Sequence, residues 1–333
     1  MGTYVRVQEE EREEISRLLA RGESQQSIAR QIGRHPSTVS REIGKGGCNR
    51  YTYRGGRAQR RAQRNATKRK AGKYKIMENS CLQEYIHAKL RLRWSPDQIV
   101  QELGKDYAED PKMQVSSETI YAYLYVLPKG VLRKELLSCL RRAHKRRHAR
   151  GGKTPVVERR IEDMLSIEER PLAVMDRTIP GHWEGDLLVG RNRQSVLGTL
   201  VERTTRTTLL VPLKSKQAEE VAKTFAQEIQ QLPRQMRLTL TYDQGREMAA
   251  HKLFTQMTGV KVYFAHPRSP WERGTNENTN GLVRQFFPKG TDFHKLSRTE
   301  VKRVQHLLNG RPRKTLHWLT PYQAFQKYLD SLR

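Results

Sequence analysis

The sequence predicts a multidomain chain: an α-helical N-terminal half followed by an α/β domain with a mixed five-stranded sheet. Three observations carry that expectation. Up to about residue 140 the apolar residues recur at helical spacing, whereas from about Leu172 they gather into short runs rich in Val, Leu and Thr. A basic, nearly apolar-free stretch near Arg141 separates the two textures. The 333 residues suffice for two or three domains. Sixty-three Lys and Arg against 35 Asp and Glu leave a formal charge of +28. That balance points to a polyanionic partner, nucleic acid being the commonest, with a basic housekeeping fold as the alternative. Cys48, Cys81 and Cys139 stand alone, so neither a zinc ribbon nor a disulfide framework follows, which fits a reducing compartment. The start, MGTYVRVQEE, lacks an apolar signal core, and no apolar run reaches membrane-spanning length. The expected location is therefore the cytoplasm or the nucleoid, with no membrane partner.

Taken in order, EEREEISRLLARG reads as a helix, with Ile15, Leu18 and Leu19 on one face and Gly22 as its stop. ESQQSIARQIG offers Ser24 as N-cap, Ile28 and Ile32 inward, and Gly33 at the end. HPSTVSREI follows with Pro36 in the first turn and Val39 and Ile43 inward. Two short helices across a tight Gly turn predict a helix-turn-helix whose second helix enters the major groove. Ser37, Thr38, Ser40 and Arg41 would then face DNA, the alternative being a plain three-helix bundle. The basic run after residue 50 reads as a linker that tracks phosphates. WSPDQIVQEL carries a capping-box pattern at Ser95 and Gln98. VSSETIYAYLYV repeats the look of a recognition helix, with Ser117 and Thr119 as candidate DNA contacts.

The second half predicts three strands in HWEGDLLVG, SVLGTLVERTT and TTLLVPLKS, then a helix in KQAEEVAKTFAQEIQQL with Val221, Phe225 and Ile229 stacked four apart. RLTLTYDQG and VKVYFAH are two more strands flanking a short helix, and a further helix follows SPWERGTNEN. That order is the order of a ribonuclease-H-like core. Three acids stand out by position: Asp186 in the first strand, Asp243 at the end of the fourth, and Glu277, with 33 residues between the last two. An Asp in a central strand is unfavourable unless its charge is satisfied, and a divalent metal is one good partner. Carboxylates held on two strands and a helix suit a two-metal site for phosphodiester transfer. Each acid also has a bland reading, as a turn residue or a helix-dipole partner, and Glu184, Glu202, Glu247 and Glu272 compete nearby. Trp271 reads as a packing residue, and Pro270 and Gly274 as shaping the loop.

GHWEGDLLVG, TYDQGREMAAHK and SPWERGTNENTNGLVRQFFPKGTDF resemble the three acidic motifs of DDE transposases of the insertion sequence 30 family. The resemblance extends to SIARQIGRHPSTVSREI at the N-terminus and NGRPRKTLHWLTPYQAF at the C-terminus, so it covers nearly the whole chain. It implies an integrase-type catalytic core and a catalytic, metal-binding triad of Asp186, Asp243 and Glu277 serving Mg²⁺ or Mn²⁺. Asn280 and Arg284, at i+3 and i+7 from Glu277, would touch backbone phosphates. The implied partners are double-stranded DNA, as terminal inverted repeats and target, and further copies of the chain, at least a dimer. The expected division is 1–50 helix-turn-helix, 51–80 basic linker, 81–140 second helical DNA-binding unit, 141–171 basic linker, 172–290 catalytic core and 291–333 C-terminal helices. The competing reading is a non-catalytic helix-turn-helix regulator derived from a mobile element; loss of any of the three acids would favour it.

Overall fold

The structure, a computed structural model, describes residues 6–45, 47–141, 161–267 and 269–332, without the side chains of 67–74 and 270. Most of the basic linker expected near Arg141 lies outside these residues. The chain divides into two compact units, Met1–Gln83 and Glu84–Arg333.

The first unit holds α1 (Glu9–Ala20), α2 (Gln25–Gln31), α3 (Pro36–Gly44) and α4 (Gly55–Glu78), and α5 (Ser80–Arg91) begins in it. Three acids in the first turn of α1 complement its dipole, and Ile15, Leu18 and Leu19 are buried on its inner face. Ser24 caps α2 by accepting from Ser27 N at 3.2 Å, as expected. The cap of α3 is His35, whose Nδ1 accepts from Ser37 N. These helices close around Ile15, Leu18, Ile28, Val39, Ile43 and Tyr53.

The stretch expected as a basic linker is largely the 24-residue helix α4. Its Arg, Lys, Gln and Ala residues are good helix formers, and no Pro interrupts them. Tyr53 and Ala58 anchor it in the core, and Arg12 Nη1 donates to Gln59 Oε1 at 2.7 Å. Gly55 is required there, because a Cβ would meet the Arg12 carbonyl oxygen at 2.7 Å.

Inside this unit Arg12 Nε pairs with the buried Glu42 at 2.8 Å. Burial pushes the Glu42 carboxyl up, but hydrogen bonds from Lys45 and Arg12 outweigh it and leave the group below its ordinary range. A carboxyl depressed in the folded state contributes stability above the unfolded range and loses it as pH falls through the folded value. The thermal midpoint is therefore expected to drop as pH falls below about 4, and Glu42→Gln to remove part of that dependence. Melts of both proteins from pH 7 to pH 3 check this; parallel curves would contradict it.

The second unit opens with the rest of α5 and with α6 (Pro96–Asp106), α7 (Ser117–Val126) and α8 (Val131–Cys139). The capping box of Ser95 and Gln98 forms as expected, and Ile99, Leu103, Ile120, Tyr123 and Leu124 are buried. Further along lie β1 (Leu165–Ser166), α9 (Ala173–Asp176), β2 (His182–Val189), β3 (Val196–Glu202) and β4 (Thr208–Leu213). Then come α10 (Ala218–Gln230), β5 (Thr239–Tyr242), α11 (His251–Thr258), β6 (Lys261–Phe264), α12 (Gly274–Val283), α13 (Arg298–Asn309) and α14 (Pro321–Asp330).

One mixed sheet runs in the order β1-β6-β5-β2-β3-β4. β1, β6, β5 and β2 are parallel, β3 runs antiparallel to β2, and β4 antiparallel to β3. It has six strands, not the expected five. The addition, β1, pairs only two residues with the edge of β6, too short to leave an alternating pattern in the sequence. Alternation along the strands divides the faces. Trp183, Leu200, Val211, Leu240 and Tyr242 pack with Val221, Phe225 and Ile229 of α10. Leu188, Leu197 and Leu210 pack on the other face with Leu282 and Val283 of α12 and Val301 and Val304 of α13. No helix among the described residues is long and apolar enough to cross a membrane.

Candidate active site

β2 and β5 run parallel with His182 opposite Thr239 and Glu184 opposite Thr241. Continuing that register by two residues sets Asp186 opposite Asp243. Glu184, Asp186 and Leu188 share the face that carries α12, since every second side chain points the same way. The two acids therefore meet where parallel strands end, the place open α/β sheets use for ligands.

One guanidinium joins them. Arg273 Nη2 donates to Asp243 Oδ2 at 2.9 Å, and its Nη1 donates to the Gly185 carbonyl at 3.0 Å and lies 3.8 Å from Asp186 Oδ1. Asp186 Oδ2 accepts from Asn280 Nδ2 at 2.7 Å, and its Oδ1 from Leu187 N at 2.9 Å. Burial raises the Asp186 carboxyl and the charge of Asp243 adds to that, while Arg273, Leu187 and Asn280 oppose it. Asp243 Oδ1 also accepts from Gly245 N at 3.2 Å, so it is an Asx-turn residue. A cleft of about 380 Å³ opens beside it, lined by Gln244, His266, Ser269 and Arg273.

Glu277 stands exposed in the first turn of α12, one turn before Asn280. The start of this helix is pinned from below. Glu184, fully buried, takes a salt bridge from Arg203 Nη1 at 2.7 Å on one oxygen and Asn276 N at 2.8 Å on the other. It thereby satisfies one of the amides a helix start leaves open. Asn276 Nδ2 donates to the Glu184 carbonyl at 2.8 Å, and Thr199 Oγ1 reaches both Asn276 Oδ1 and Asn280 Oδ1. α12 is thus bonded to β2 and β3 on both sides of Glu277.

Among the described residues, no three His, Cys, Asp or Glu side chains stand close enough together to hold an ion. The structure brings Asp186 and Asp243 together and leaves the Glu277 carboxylate outward. The competing acids sort differently. Glu184 and Glu202 are buried and structural, the latter accepting from Gly181 N, Thr204 N and Thr205 N. Glu272 binds His266 through Nδ1 and the backbone amide, both at 2.8 Å, and its charge holds that imidazole above its ordinary range. Glu247 lies nearest the site in its electrostatics: burial raises its carboxyl, and Asp243 and Asp186 push the same way.

Asn280 and Arg284, expected on DNA phosphates, make polar contacts within the protein. Asn280 bonds Asp186 and Thr199, and Arg284 Nη2 donates to the Val189 carbonyl at 2.8 Å while its guanidinium lies over Phe293. Trp271, expected as packing, is 74% exposed. In the first unit Ser40 and Arg41 are exposed and Ser37 and Thr38 half-buried, Ser37 Oγ bonding His35 and Arg41. Ser117 and Thr119 are half-buried at the start of α7, where Ser116 is the cap and bonds the Thr119 hydroxyl. Sequence reasoning missed Arg273 and the Glu184–Arg203 pair. The signal available for Glu184 was its i, i+2 spacing from Asp186, which puts both on one strand face.

A helix-turn-helix domain profile matches residues 4–46, and an integrase core domain profile matches residues 177–270. Fold and paired acids define the class: a DNA-binding polynucleotidyl transferase with an integrase-type core. The transposase for insertion sequence element IS1086 of Cupriavidus metallidurans is 44% identical over 331 residues, 98% of this chain and 96% of the relative. Transposase InsI for insertion sequence element IS30A of Escherichia coli is 40% identical over 321 residues, 95% of this chain and 82% of the relative. The chain belongs to the insertion sequence 30 family of transposases. Among solved structures, the catalytic core domain of BIV integrase aligns with 45% of this chain and 97% of its own, at 18% identity and a TM-score of 0.35. The HTLV-2 integrase catalytic core domain in complex with magnesium aligns with 44% of this chain and 97% of its own, at 19% identity and a TM-score of 0.35.

Proposed function

We propose that this transposase binds the terminal inverted repeats of its element and catalyses metal-dependent strand cleavage and strand transfer, with Asp186, Asp243 and Glu277 as catalytic acids and metal ligands. The observation that carries the reading is the in-register pair Asp186 and Asp243, whose carboxylates already share one cationic group, Arg273. Hard carboxylate oxygens suit Mg²⁺ or Mn²⁺. A bound pair of such ions would supply activation of the attacking hydroxyl and neutralisation of charge at the leaving oxygen.

The chain's own residues do the positioning. Asn280 orients Asp186, the Asx turn orients Asp243, and the bonds of Asn276 to β2 and β3 fix the turn of α12 that bears Glu277. In the transfer step the 3′ oxygen forms a bond to the target phosphorus as the bond to the leaving oxygen breaks; the attacking hydroxyl gives its proton to solvent and the leaving oxygen takes one up from solvent. Ser37, Thr38, Ser40 and Arg41 of α3 would read the element's end, with Ser117 and Thr119 of α7 as a second contact. The functional division keeps 1–50 and 81–140 as DNA-binding modules and 172–290 as the core, acting in the cytoplasm on nucleoid DNA. Joining two ends needs two active sites in one complex, hence at least a dimer. The test is incubation with labelled DNA carrying the element's end. Nicking and joining are expected with Mg²⁺ or Mn²⁺ and none with EDTA. Binding without cleavage under any divalent metal would favour the regulator.

A further inference from the structure

A second cationic site lies on the core, at the N-terminal end of α12. A cavity of about 290 Å³ is lined by Arg177, Arg206, Arg313, Thr275, Asn278 and Thr315, among others. No carboxylate lines it. Among the described residues none of the three arginines makes an ion pair. Arg206 Nη1 donates to Thr275 Oγ1 at 2.8 Å, and Arg313 Nη2 to the Leu308 carbonyl at 2.9 Å. Arg313 Nε is buried with no hydrogen-bond partner. Unpaired buried donors of this kind are rare and costly.

The surroundings raise the positive potential further. Burial, then the charges of Arg141 and Arg206, hold Arg313 down to about 10, and burial and Arg177 lower Arg206. Glu184 and Glu202 act the other way on Arg206, but neither lines the cavity. The amides at the start of α12 add partial positive charge at the same place. Arg177, the C-cap of α9, and Arg206, in the turn between β3 and β4, both take the left-handed backbone, at φ of 53° and 61°.

We infer that this pocket binds a phosphate group of the DNA backbone, gripping the duplex on the core beside the first turns of α12 that also carry Glu277. The phosphate oxygens would accept from Arg177, Arg206 and Arg313 and from the threonine hydroxyls. The contact is independent of base sequence, because a phosphate carries no base information. Only the source of the phosphate rests on the transposition reading; the pocket itself does not.

The test is the salt dependence of DNA binding by the full-length protein. Arg206→Asn removes the charge while keeping a residue that accepts the left-handed backbone. Arg177→Asn does the same at an exposed position where folding is not at stake. Lys216→Gln, exposed and outside the pocket, controls for net charge. Mobility shifts with an end-bearing and a scrambled duplex, over a salt series, give the slope of log affinity against log salt. Both pocket variants are expected to lower that slope by about one and to weaken binding roughly tenfold on both duplexes, with Lys216→Gln near wild type.

A parallel arm measures the thermal midpoint with inorganic phosphate. A midpoint raised by phosphate in wild type but not in Arg206→Asn, with unchanged slopes, would show that the pocket takes free phosphate and overturn the DNA source. Unchanged slopes with no phosphate effect would overturn the site. Joining of element ends by the same wild-type preparation is scored separately. Its failure would count against the transposition reading and leave the slopes to decide the pocket.

Discussion

Asp243→Asn is expected to reduce strand joining about a thousandfold or more while leaving DNA binding within a few-fold of wild type. Asparagine keeps the volume of the side chain and an oxygen for Gly245 N, so the Asx turn survives. What disappears is one of the two charges that face each other across β2 and β5. Metal-assisted charge stabilisation is worth several kcal/mol, and each ~1.4 kcal/mol is a factor of ten in rate. About 4 kcal/mol therefore gives about three orders of magnitude. Joining measured on a sequencing gel beside a mobility shift would decide; equal loss of both activities would mean that the substitution had damaged the fold or the DNA surface instead.

Glu184→Gln is expected to destabilise the second unit strongly. The side chain is 0% exposed, and its partner Arg203 is 5% exposed. Removing one member of a buried ion pair leaves the other charged and unpaired, at a cost of about 3–5 kcal/mol. In a unit of this size that lowers the thermal midpoint by roughly 10 °C. Because Glu184 also accepts from Asn276 N, the start of α12 loosens as well, and joining should fall more than global unfolding at the assay temperature explains. A midpoint within about 2 °C of wild type would show that the pair is neutral here.

Glu184 also shows where a sequence stops being informative. Its burial is decided by Arg203, just past the end of β3, and by Asn276 on α12, and neither partner is implied by local pattern. Asp186 and Asp243 were legible because a strand acid and an acid before a Gly turn break the local apolar rhythm. Ser24 and Ser95 were legible for a related reason, since a cap is a short-range contact written within four residues. Arg273 was not: an arginine in a short turn has no period, and its role appears only when β2, β5 and the turn converge. The helix α4 was misread because the lack of apolar residues was weighed above helix propensity, and the buried apolar residues among its described side chains, Ala58 and Ile76, lie near its two ends. Trp271 was misread for the opposite reason. Large aromatics are usually packed, and this one is held outward by the turn that brings Arg273 inward.

Asn280 changes the reading of α12. The helix face that carries Glu277 also carries the amide that bonds Asp186. Arg284, one turn further on, ties the end of the helix to β2 through the Val189 carbonyl. α12 is thereby held at both ends, with Glu277 between the anchors.

Glu277 is the acid whose carboxylate stands apart from the other two, so the account depends on it most. The decisive measurement is strand joining by Glu277→Gln in Mg²⁺, at protein concentrations that saturate the end-bearing DNA. Joining reduced about a thousandfold, with binding unchanged, is the expected result for a third acid acting with Asp186 and Asp243. Joining within threefold of wild type would contradict the account and remove Glu277 from the catalytic set.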